Sequence, residues 1–295
     1  MISVNYSPLR YPGGKSKIAP LMQTIINGLA LSKVTYIEPF AGGAGVALNL
    51  LLEGHVNQIV INDYDKAIYS FWRALIECPE SLIDMVKTVP LTVGEWRHQK
   101  EIYTTENRKY SIELGFAAFY LNRTNRSGIL NAGPIGGYNQ TGAYGIDARF
   151  CRETLIQRIE HIAQYRRRIK VYNKDIRSFI DKVIPKYQQN GFVYFDPPYY
   201  VNGQRLYKNS FSTADHAEIA QKIINGVQCP WVITYDDVPE LRSIYGDFLQ
   251  KRYYLNYSAA NKGIGSELII FKEPKLLPEE VSVNKQTKRF HLEDI

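Results

Sequence analysis

The chain has 295 residues, of which 45% are hydrophobic and 22% are charged, and its formal net charge is +7. This composition is ordinary for a soluble globular protein, and no apolar run is long enough to span a membrane or to form a secretory signal. The positive charge suits a polyanionic partner without establishing one. Cys78, Cys151 and Cys229 are far apart and form no Cys-x-x-Cys pair. A disulfide framework and a zinc site are therefore not expected, and a reducing cytoplasm is the expected location.

The first predicted helix, residues 16–29, follows the turn Gly13-Gly14-Lys15. Ser16 is a suitable helix cap, and the apolar positions recur at helical spacing. Backbone donors and an ammonium group at a helix start form a natural anion site. The turn is not a P-loop, because the upstream glycine of that motif is missing.

A second glycine-rich turn lies between a predicted strand at 34–38 and a predicted helix at 46–52. Its glycines are Gly42, Gly43 and Gly45. Small residues at such a turn let the backbone approach a nucleotide cofactor closely. The next strand, 58–63, ends in Asp63, about 20 residues beyond the glycine turn, where a carboxylate binds ribose hydroxyls in dinucleotide folds. Asp63 is preferred for that role, with Asp65 as the alternative.

Residues 66–170 interrupt the alternation of strands and helices. Helices are predicted at 66–76, 79–87 and 95–120, followed by a Gly- and Asn-rich loop to residue 145. Basic residues mixed with Asn, Gln and Tyr suit contacts with both phosphates and base edges. We therefore expect a helical DNA-recognition insert; the alternative is a solvated helical insert with a disordered loop.

The alternation resumes with a strand at 169–175 that ends in Asp175, followed by a helix to residue 187. Another buried strand, 192–195, leads directly into Asp196-Pro197-Pro198-Tyr199. The two prolines stop the strand and hold the backbone extended at its carboxyl end, where ligands bind in open α/β sheets. The Asp196 carboxylate and the Pro197 carbonyl suit the two N–H bonds of an exocyclic amino group, and Tyr199 suits stacking on its ring. The alternative is a solvated turn.

The remaining chain contributes weaker signals. Residues 201–212 are equally consistent with a segment that closes over an extruded base and with a surface loop. A helix is predicted at 213–225, in which His216 is a helix-start residue rather than a catalyst. Asp236 ends a strand at 231–236 and is a weak candidate for the base pocket. A short helix at 241–245, a hairpin of strands at 252–258 and 267–271, and a polar tail at 274–295 complete the chain.

These motifs occur in one order: an aromatic residue before Gly-Gly-Lys, then Glu38-Pro39-Phe40-Ala41, an acid-ended second strand, an insert and Asp-Pro-Pro-Tyr. The order resembles the alpha group of Dam-like DNA adenine methyltransferases, the D12 class, over about residues 8–272. The resemblance implies an α/β fold, a Rossmann-like methyltransferase sheet with helices on both faces and an inserted, mainly helical DNA-recognition domain. The implied divisions are a catalytic S-adenosylmethionine-binding domain (1–70 and 168–273), the insert (71–167) and a polar tail (274–295).

The resemblance also implies an activity. The methyl group of S-adenosyl-L-methionine would pass to N6 of adenine in duplex DNA, leaving S-adenosyl-L-homocysteine, with the target base flipped into the Asp-Pro-Pro-Tyr pocket. No metal and no membrane are implied, and a separately encoded restriction endonuclease is a candidate partner in a prokaryote or phage. The implied catalytic residues are Asp196, Pro197, Pro198 and Tyr199. The implied cofactor-binding residues are Tyr11, Lys15, Phe40, Gly42, Gly43, Gly45, Asp63, Asp175 and Asp196. The implied DNA-binding residues are Arg123, Asn125, Arg126, Arg149 and Lys208.

Three other functions stay open. A methyltransferase acting on the cytosine amino group would share most of these motifs, and RNA is an alternative substrate. A catalytically silent DNA-binding protein with the same fold is the third, although the intact acid, prolines and tyrosine argue against it. The loop after residue 127 departs from the Dam version, so the target sequence stays open.

Overall fold

A computed structural model of the protein describes residues 6–10, 15–200, 211–257, 263–279, 281–283, 286–288 and 292–295. Its main sheet has eight strands in the order β10-β6-β7-β5-β4-β1-β2-β3. Strands β1 to β5 are parallel to one another, and β7 lies antiparallel between β5 and β6. The strands are β1 Thr35–Glu38, β2 Gln58–Asn62, β3 Ile169–Tyr172, β4 Gly191–Phe195, β5 Trp231–Asp236, β6 Leu249–Tyr257, β7 Gly263–Phe271, β8 Val281–Val283, β9 Gln286–Lys288 and β10 Leu292–Glu293.

The strand order reverses at β1, which pairs with β2 on one side and with β4 on the other. The chain builds outward from β1 to β3 and then returns to β4. In open parallel sheets a crevice forms at such a reversal, outside the carboxyl ends of the strands. The glycine turn after β1 and the Asp-Pro-Pro-Tyr segment after β4 therefore meet at the same crevice.

The sheet is buried between two layers of helices. Alternate strand residues face opposite layers: Tyr36 packs with one hydrophobic cluster and Ile37 with the other. This alternation follows from the two-residue period of a strand. The predicted α/β, Rossmann-like fold with helices on both faces is confirmed. The helices are α1 Ala19–Gly28, α2 Gly45–Leu52, α3 Lys66–Glu77, α4 Pro79–Thr88, α5 Val93–Thr105, α6 Ile112–Thr124, α7 Arg152–Ala163, α8 Ile176–Lys182, α9 Thr213–Gly226 and α10 Pro239–Ile244.

Three helices differ from their predicted bounds. The α-helix expected from Ser16 begins at Ala19, after a 3-10 turn at Lys15–Ile18, because Pro20 suits the first turn of a helix. The single helix expected at 95–120 is two helices, and the hydroxyl of Ser111 caps the second by accepting from Leu114 N at 3.0 Å. The helix expected to reach residue 187 ends at Lys182 and continues as a 3-10 turn containing Pro185.

The inserted helices pack directly on α3. Gly115 of α6 lies so close to α3 that a Cβ atom there would stand 2.6 Å from the Ser70 carbonyl carbon. The rings of Phe71 and Phe119 stack at the same contact, with centroids 5.5 Å apart. One hydrophobic cluster runs from α1 and α2 through α3 to α7. The division into a catalytic part (1–70 and 168–273) and an insert (71–167) stays a prediction.

The segment 274–295, expected as a polar tail, folds back onto the protein in its described parts. Strands β8 and β9 form a hairpin, and β10 pairs with β6 at the sheet edge. Leu276 is buried, and Leu277 and Leu292 pack against the core, so a few apolar residues hold this polar segment in place. Within the described ranges, no helix has both the length and the apolar character needed to cross a bilayer.

Candidate active site

The glycine turn after β1 is held by hydrogen bonds from three sides. Gly42 (φ 46°) and Ala44 (φ 49°) adopt the left-handed conformation, which glycine accepts readily and other residues rarely. The indole Nε1 of Trp72 donates to the Gly42 carbonyl at 2.8 Å. Glu38 accepts from Ala47 N at the start of α2 at 3.1 Å. The turn is therefore fixed before any ligand binds, with Gly43 at its tip and Gly45 at the start of α2.

Asp63 lies beside this turn, where the sequence predicted a ribose-binding acid. Its Oδ2 accepts from Gly42 N and its Oδ1 from Asp65 N, each at 2.9 Å. Burial, and then the charge of Asp65, raise the pKa of Asp63 to about 7. Asp65 itself caps α3 by accepting from Ala67 N at 2.8 Å. Both acids therefore bind backbone amides beside the glycine turn, and the ribose-binding role of Asp63, with Asp65 as the alternative, stays a prediction.

Phe40 follows β1 and Asp175 follows β3, so both lie beyond the carboxyl ends of parallel strands. Phe40 is half-buried and its ring meets that of Phe211 edge to face, with centroids 6.1 Å apart. Asp175 caps α8 by accepting from Arg177 N at 2.9 Å, and its second oxygen lies 3.5 Å from the Arg177 guanidinium. The capping role of Asp175 is therefore filled, and a contact with a cofactor would be additional.

Asp196 stands at the end of β4, as predicted, with its side chain 24% exposed and so reachable by a ligand. Two contacts hold it: Thr234 Oγ1 donates to Oδ1 at 2.9 Å, and Lys15 Nζ lies 3.3 Å from the same atom. Both of these contacts, which lie among the described residues, are made to Oδ1 and not to Oδ2. Pro197 is buried behind it, and Pro198 and Tyr199 are half-buried. Oδ1 is therefore fixed by the protein, while Oδ2 has no hydrogen-bond partner among the described residues and is left available to a ligand.

Lys15 connects the first glycine turn with the Asp-Pro-Pro-Tyr segment. Its ammonium lies between Asp196 and Glu267, to which it also donates, and 5.6 Å from the centre of the Tyr199 ring. The sequence placed Lys15 and Tyr199 at one site only by resemblance, and the structure brings the two together. Glu267, on β7, was not predicted as a site residue. In the sequence, Glu267 is marked only as a charged residue directly before the apolar run 268–271 of β7.

Acidic groups outnumber basic groups at this edge of the sheet. Burial raises the pKa of Asp196, Lys15 partly offsets that rise, and the Glu267 charge adds to it. Burial, and then the charge of Asp196, hold the pKa of Glu38 well above its ordinary value. Burial lowers the pKa of Lys15, but its two carboxylate neighbours outweigh this effect and the net direction is upward. Buried carboxyls short of positive charge fit a cationic ligand such as a sulfonium.

Tyr200, His216 and Tyr235 form an aromatic group next to the Asp-Pro-Pro-Tyr segment. Asp236 accepts from Tyr200 N at 2.8 Å, so this weak candidate shapes the backbone that follows the prolines. His216 is buried in the first turn of α9, and its Nδ1 lies 3.0 Å from Tyr235 Oη. Burial lowers the pKa of His216 and favours its neutral form. These contacts support the structural role predicted for His216.

The predicted DNA-binding residues divide into two kinds. Arg126 and Arg149 are exposed, while Arg123 is largely buried beside other arginines. Burial, followed by the charges of Arg158, Arg10 and Arg149, lowers the pKa of Arg123 to about 9. No hydrogen-bond acceptor among the described residues reaches the buried Arg123 Nε. These four guanidinium groups lie together, and within the described ranges none of them forms an ion pair with a carboxylate, so they form a site suited to an anion.

Asn125 does not have the exposure predicted for a DNA contact. It is fully buried, its Oδ1 accepts from Trp96 Nε1 at 2.6 Å, and its Nδ2 donates to the Ile129 carbonyl at 2.8 Å. Its amide therefore supports the loop after α6. Asn122 is also structural, since it exchanges two hydrogen bonds of 2.6 Å with the Arg10 backbone. Sequence spacing alone did not distinguish such buried amides from exposed ones. Tyr11 and Lys208 lie outside the described residues.

A search of the described side chains finds no group of three or more His, Cys, Asp or Glu residues arranged to hold a metal ion. The acids of the crevice are instead bound to backbone amides, to Thr234 and to Lys15.

Comparison with known proteins gives matches along most of the chain. Residues 11–259 match the family described as D12 class N6 adenine-specific DNA methyltransferase. The type II methyltransferase M1.LlaDCHI of Lactococcus lactis subsp. cremoris is 25% identical over 210 residues, which cover 66% of this chain and 66% of that relative. M.MjaIII of Methanocaldococcus jannaschii is 23% identical over 204 residues, which cover 65% of this chain and 68% of that type II methyltransferase.

Solved structures include the rRNA methyltransferase aviRa from Streptomyces viridochromogenes, which is 13% identical with a TM-score of 0.43 over 94% of this chain and 95% of that one. The family match carries the assignment, because it spans the glycine turns, the insert and the Asp-Pro-Pro-Tyr segment. The chain belongs to the family of D12 class N6 adenine-specific DNA methyltransferases.

Proposed function

We propose that the protein transfers a methyl group from S-adenosyl-L-methionine to the N6 amino group of adenine in duplex DNA, at a specific sequence. The observation that carries this proposal is the partly exposed Asp196 carboxylate, whose Oδ1 is held by Thr234 and Lys15 while Oδ2 has no partner among the described residues. Family membership supports the choice of adenine over cytosine and of DNA over RNA.

The residues of the crevice fit the cofactor. When bound, S-adenosyl-L-methionine supplies an electrophilic methyl group on a cationic sulfur. Burial raises the pKa of Glu38 and of Asp196, and a cation bound beside these acids would favour their ionised forms, while Asp63 offers acceptors to ribose hydroxyls. Gly42, Gly43 and Gly45 permit close approach of the backbone, Phe40 supplies an apolar surface, and Asp175 lies at the far end.

The protein's part in the chemistry is to orient and polarise the target amine. The amino lone pair of adenine is delocalised into its ring, so the nitrogen is a poor nucleophile. Hydrogen bonds from its two N–H groups to Asp196 Oδ2 and the Pro197 carbonyl favour a tetrahedral nitrogen with an available lone pair. Pro198 keeps this segment extended and Tyr199 stacks on the ring. As the nitrogen–carbon bond forms, N6 loses one proton, for which Asp196 is the nearest acceptor in this arrangement.

The base must leave the duplex to reach Asp196, since N6 is inside the base stack. Extrusion costs a few kcal/mol, which stacking on Tyr199 and contacts with phosphates offset. Arg123, Arg126 and Arg149 supply the phosphate contacts in this proposal, together with Arg10 and Arg158. The type II methyltransferase names of the two relatives support a role in restriction–modification, with a separately encoded endonuclease as partner and the cytoplasm as location.

The deciding experiment uses S-adenosyl-L-methionine with a labelled methyl group and unmethylated duplex DNA, followed by digestion to nucleosides. Label in N6-methyldeoxyadenosine is expected. Label in a methylated cytosine nucleoside, or on RNA transcripts alone, would show that the proposed substrate is wrong and that the proposed methyl-transfer chemistry is right. Cofactor binding without any transfer would overturn the proposal in favour of a silent DNA-binding protein.

Asp63 gives a prediction for cofactor affinity. Asp63→Ala is expected to weaken S-adenosyl-L-methionine binding by about 10- to 100-fold, because hydrogen bonds to a charged group contribute about 1.5–3 kcal/mol. Titration calorimetry measures the change, and Asp84→Ala on exposed α4 is the control. Unchanged affinity in Asp63→Ala would exclude the ribose role.

The same residue predicts a pH dependence. With a pKa of about 7 in the folded protein, Asp63 is mostly neutral below that pH and ionises above it. Wild-type affinity for S-adenosyl-L-methionine should therefore rise as pH increases through about 7, and Asp63→Asn should lack that rise. The ligand-free protein should become less stable as pH rises from about 4 to about 7. The reason is that the Asp63 carboxyl, whose pKa is raised in the folded state, binds a proton more tightly when folded than when unfolded. Equal pH profiles for the two proteins would contradict this prediction.

The arginine group predicts a salt effect. Arg149→Ala should weaken DNA binding similarly for all sequences and reduce the slope of log affinity against log salt by about 1, as expected for one lost phosphate contact. Fluorescence anisotropy at several salt concentrations measures the slope. Arg73→Ala, which breaks an exposed pair with Glu77, is the matched control. An unchanged slope in Arg149→Ala would remove this residue from the interface.

A further inference from the structure

Glu267 is a buried acid at the centre of the candidate site. It lies on β7, directly opposite Asp236 of β5 on one side and Tyr253 of β6 on the other. Its side chain is only 1% exposed. Because β7 runs antiparallel to β5, this position reaches the edge of the sheet at which β4 and β5 end.

Both carboxylate oxygens of Glu267 are occupied by groups from other segments. Oε1 accepts from Tyr199 Oη at 2.9 Å. Oε2 accepts from Lys15 Nζ and from Tyr253 Oη. One side chain therefore joins the first glycine turn, the Asp-Pro-Pro-Tyr segment and the closing hairpin.

The fold itself does not require a charge at this position. The residues that follow on β7, Leu268, Ile269, Ile270 and Phe271, are all buried and apolar. A buried ion pair often contributes no more stability than well-packed apolar residues of similar size. A carboxylate with three donors at this place therefore indicates a role in orienting those donors.

Two of the donors act directly on the site. The bond from Tyr199 Oη fixes the direction of the ring that would stack on the target base. The bond from Lys15 Nζ holds the ammonium where it also contacts Asp196 Oδ1 at 3.3 Å and lies over the Tyr199 ring. Without Glu267, Lys15 would be free to move onto Asp196 Oδ2, which is the oxygen left available to a ligand.

We propose that Glu267 is a positioning residue for methyl transfer, which holds the Tyr199 ring and the Lys15 ammonium so that Asp196 Oδ2 stays available to the target amino group. The inference rests on the proposed function, since it concerns the same site and reaction.

The test compares wild type with Glu267→Gln, which keeps the shape of the side chain and removes its charge. Single-turnover transfer of labelled methyl to duplex DNA is measured across pH, with affinities for cofactor and DNA measured separately. The rate should fall by about 10²-fold, as for a misplaced reacting group, while both affinities stay within about threefold. Glu80→Gln, an exposed change on α4, should retain the wild-type rate.

The pH profile separates positioning from simple structural support. The Glu267 charge raises the pKa of Asp196, so its removal should move the acid limb of the rate profile to lower pH. A merely structural residue would lower the rate at every pH without moving that limb. A wild-type rate or an unmoved limb in Glu267→Gln would overturn the proposal.

A second variant keeps the test decisive. Tyr199→Phe retains the ring and deletes only the hydroxyl that donates to Glu267. Its rate should fall with cofactor affinity unchanged, and the double variant should be no slower than Glu267→Gln alone, because both changes break one interaction. Additive losses, or a wild-type rate for Tyr199→Phe, would overturn the proposal even where Glu267→Gln does not fold. If wild type itself transfers no label, the proposed function fails and this inference falls with it, whereas an active wild type with unaffected variants overturns this inference alone.

Discussion

Asp196→Ala is expected to reduce methyl transfer by a factor on the order of 10³ or more while cofactor affinity stays near that of wild type. The variant removes the hydrogen bond that activates the target nitrogen, the acceptor for its proton, and part of its orientation, all of which act on the chemical step. The cofactor retains the glycine turn, Glu38 and Asp63. Single-turnover transfer of label and titration calorimetry measure the two quantities.

Two further variants sharpen this result. Asp196→Asn keeps the shape and should lose nearly as much rate, because an amide cannot take up the proton. Asp84→Ala on exposed α4 should behave as wild type. Substantial activity in either Asp196 variant would exclude the proposed mechanism, whereas lost cofactor binding in both would show that Asp196 acts in binding instead.

Lys15→Met has the largest expected effect on stability. It leaves the carboxylates of Asp196 and Glu267 together without their shared cation, and the Glu267 side chain is only 1% exposed. Removing one partner of a buried ion pair costs about 3–5 kcal/mol, because an uncompensated charge stays buried. The free energy of unfolding from urea denaturation measures the loss. Methyl transfer should also fall, since Asp196 would bind a proton more tightly.

Two measurements test whether uncompensated buried charge causes the loss of stability in Lys15→Met. One is the pH dependence of that loss, and the other is a second substitution. Folded Lys15→Met would keep both carboxyls buried without a cation, so the stability deficit should be largest at neutral pH and shrink as acid protonates them. Lys15→Met/Glu267→Gln should recover part of the stability, because one buried charge is removed. A deficit that is constant with pH and unchanged in the double variant would point to lost packing instead.

The sequence was informative wherever the signal was local. Short apolar strands, the glycine turn and the prolines after β4 each determine their own structure, and together they predicted the sheet and the position of Asp196. Helix boundaries were less accurate because a capping hydroxyl such as Ser111 or a proline such as Pro185 acts over one turn only. The long helix expected at 95–120 missed the cap at Ser111 for this reason.

The rest of the site depends on pairing between distant residues. Glu267 meets Lys15 only because β7 inserts next to β5, a register that the sequence of β7 does not specify. Asn125 and Arg126 are adjacent in sequence, yet one is buried under Trp96 and the other is exposed. Whether a polar residue serves the core or a ligand is decided by such packing, which no motif in this sequence records.

The contact at Gly115 has a consequence for how sequences of this kind can diverge. With α6 pressed against the α3 backbone, a side chain there would need the two helices to separate, and α3 carries the Trp72 that holds the cofactor turn. A substitution at position 115 would therefore shift α3 and, through Trp72, the glycine turn after β1. Tyr144 and Arg149, in the loop between α6 and α7, are exposed and can change without moving α3. New target sequences are expected to evolve through that loop, while position 115 stays glycine.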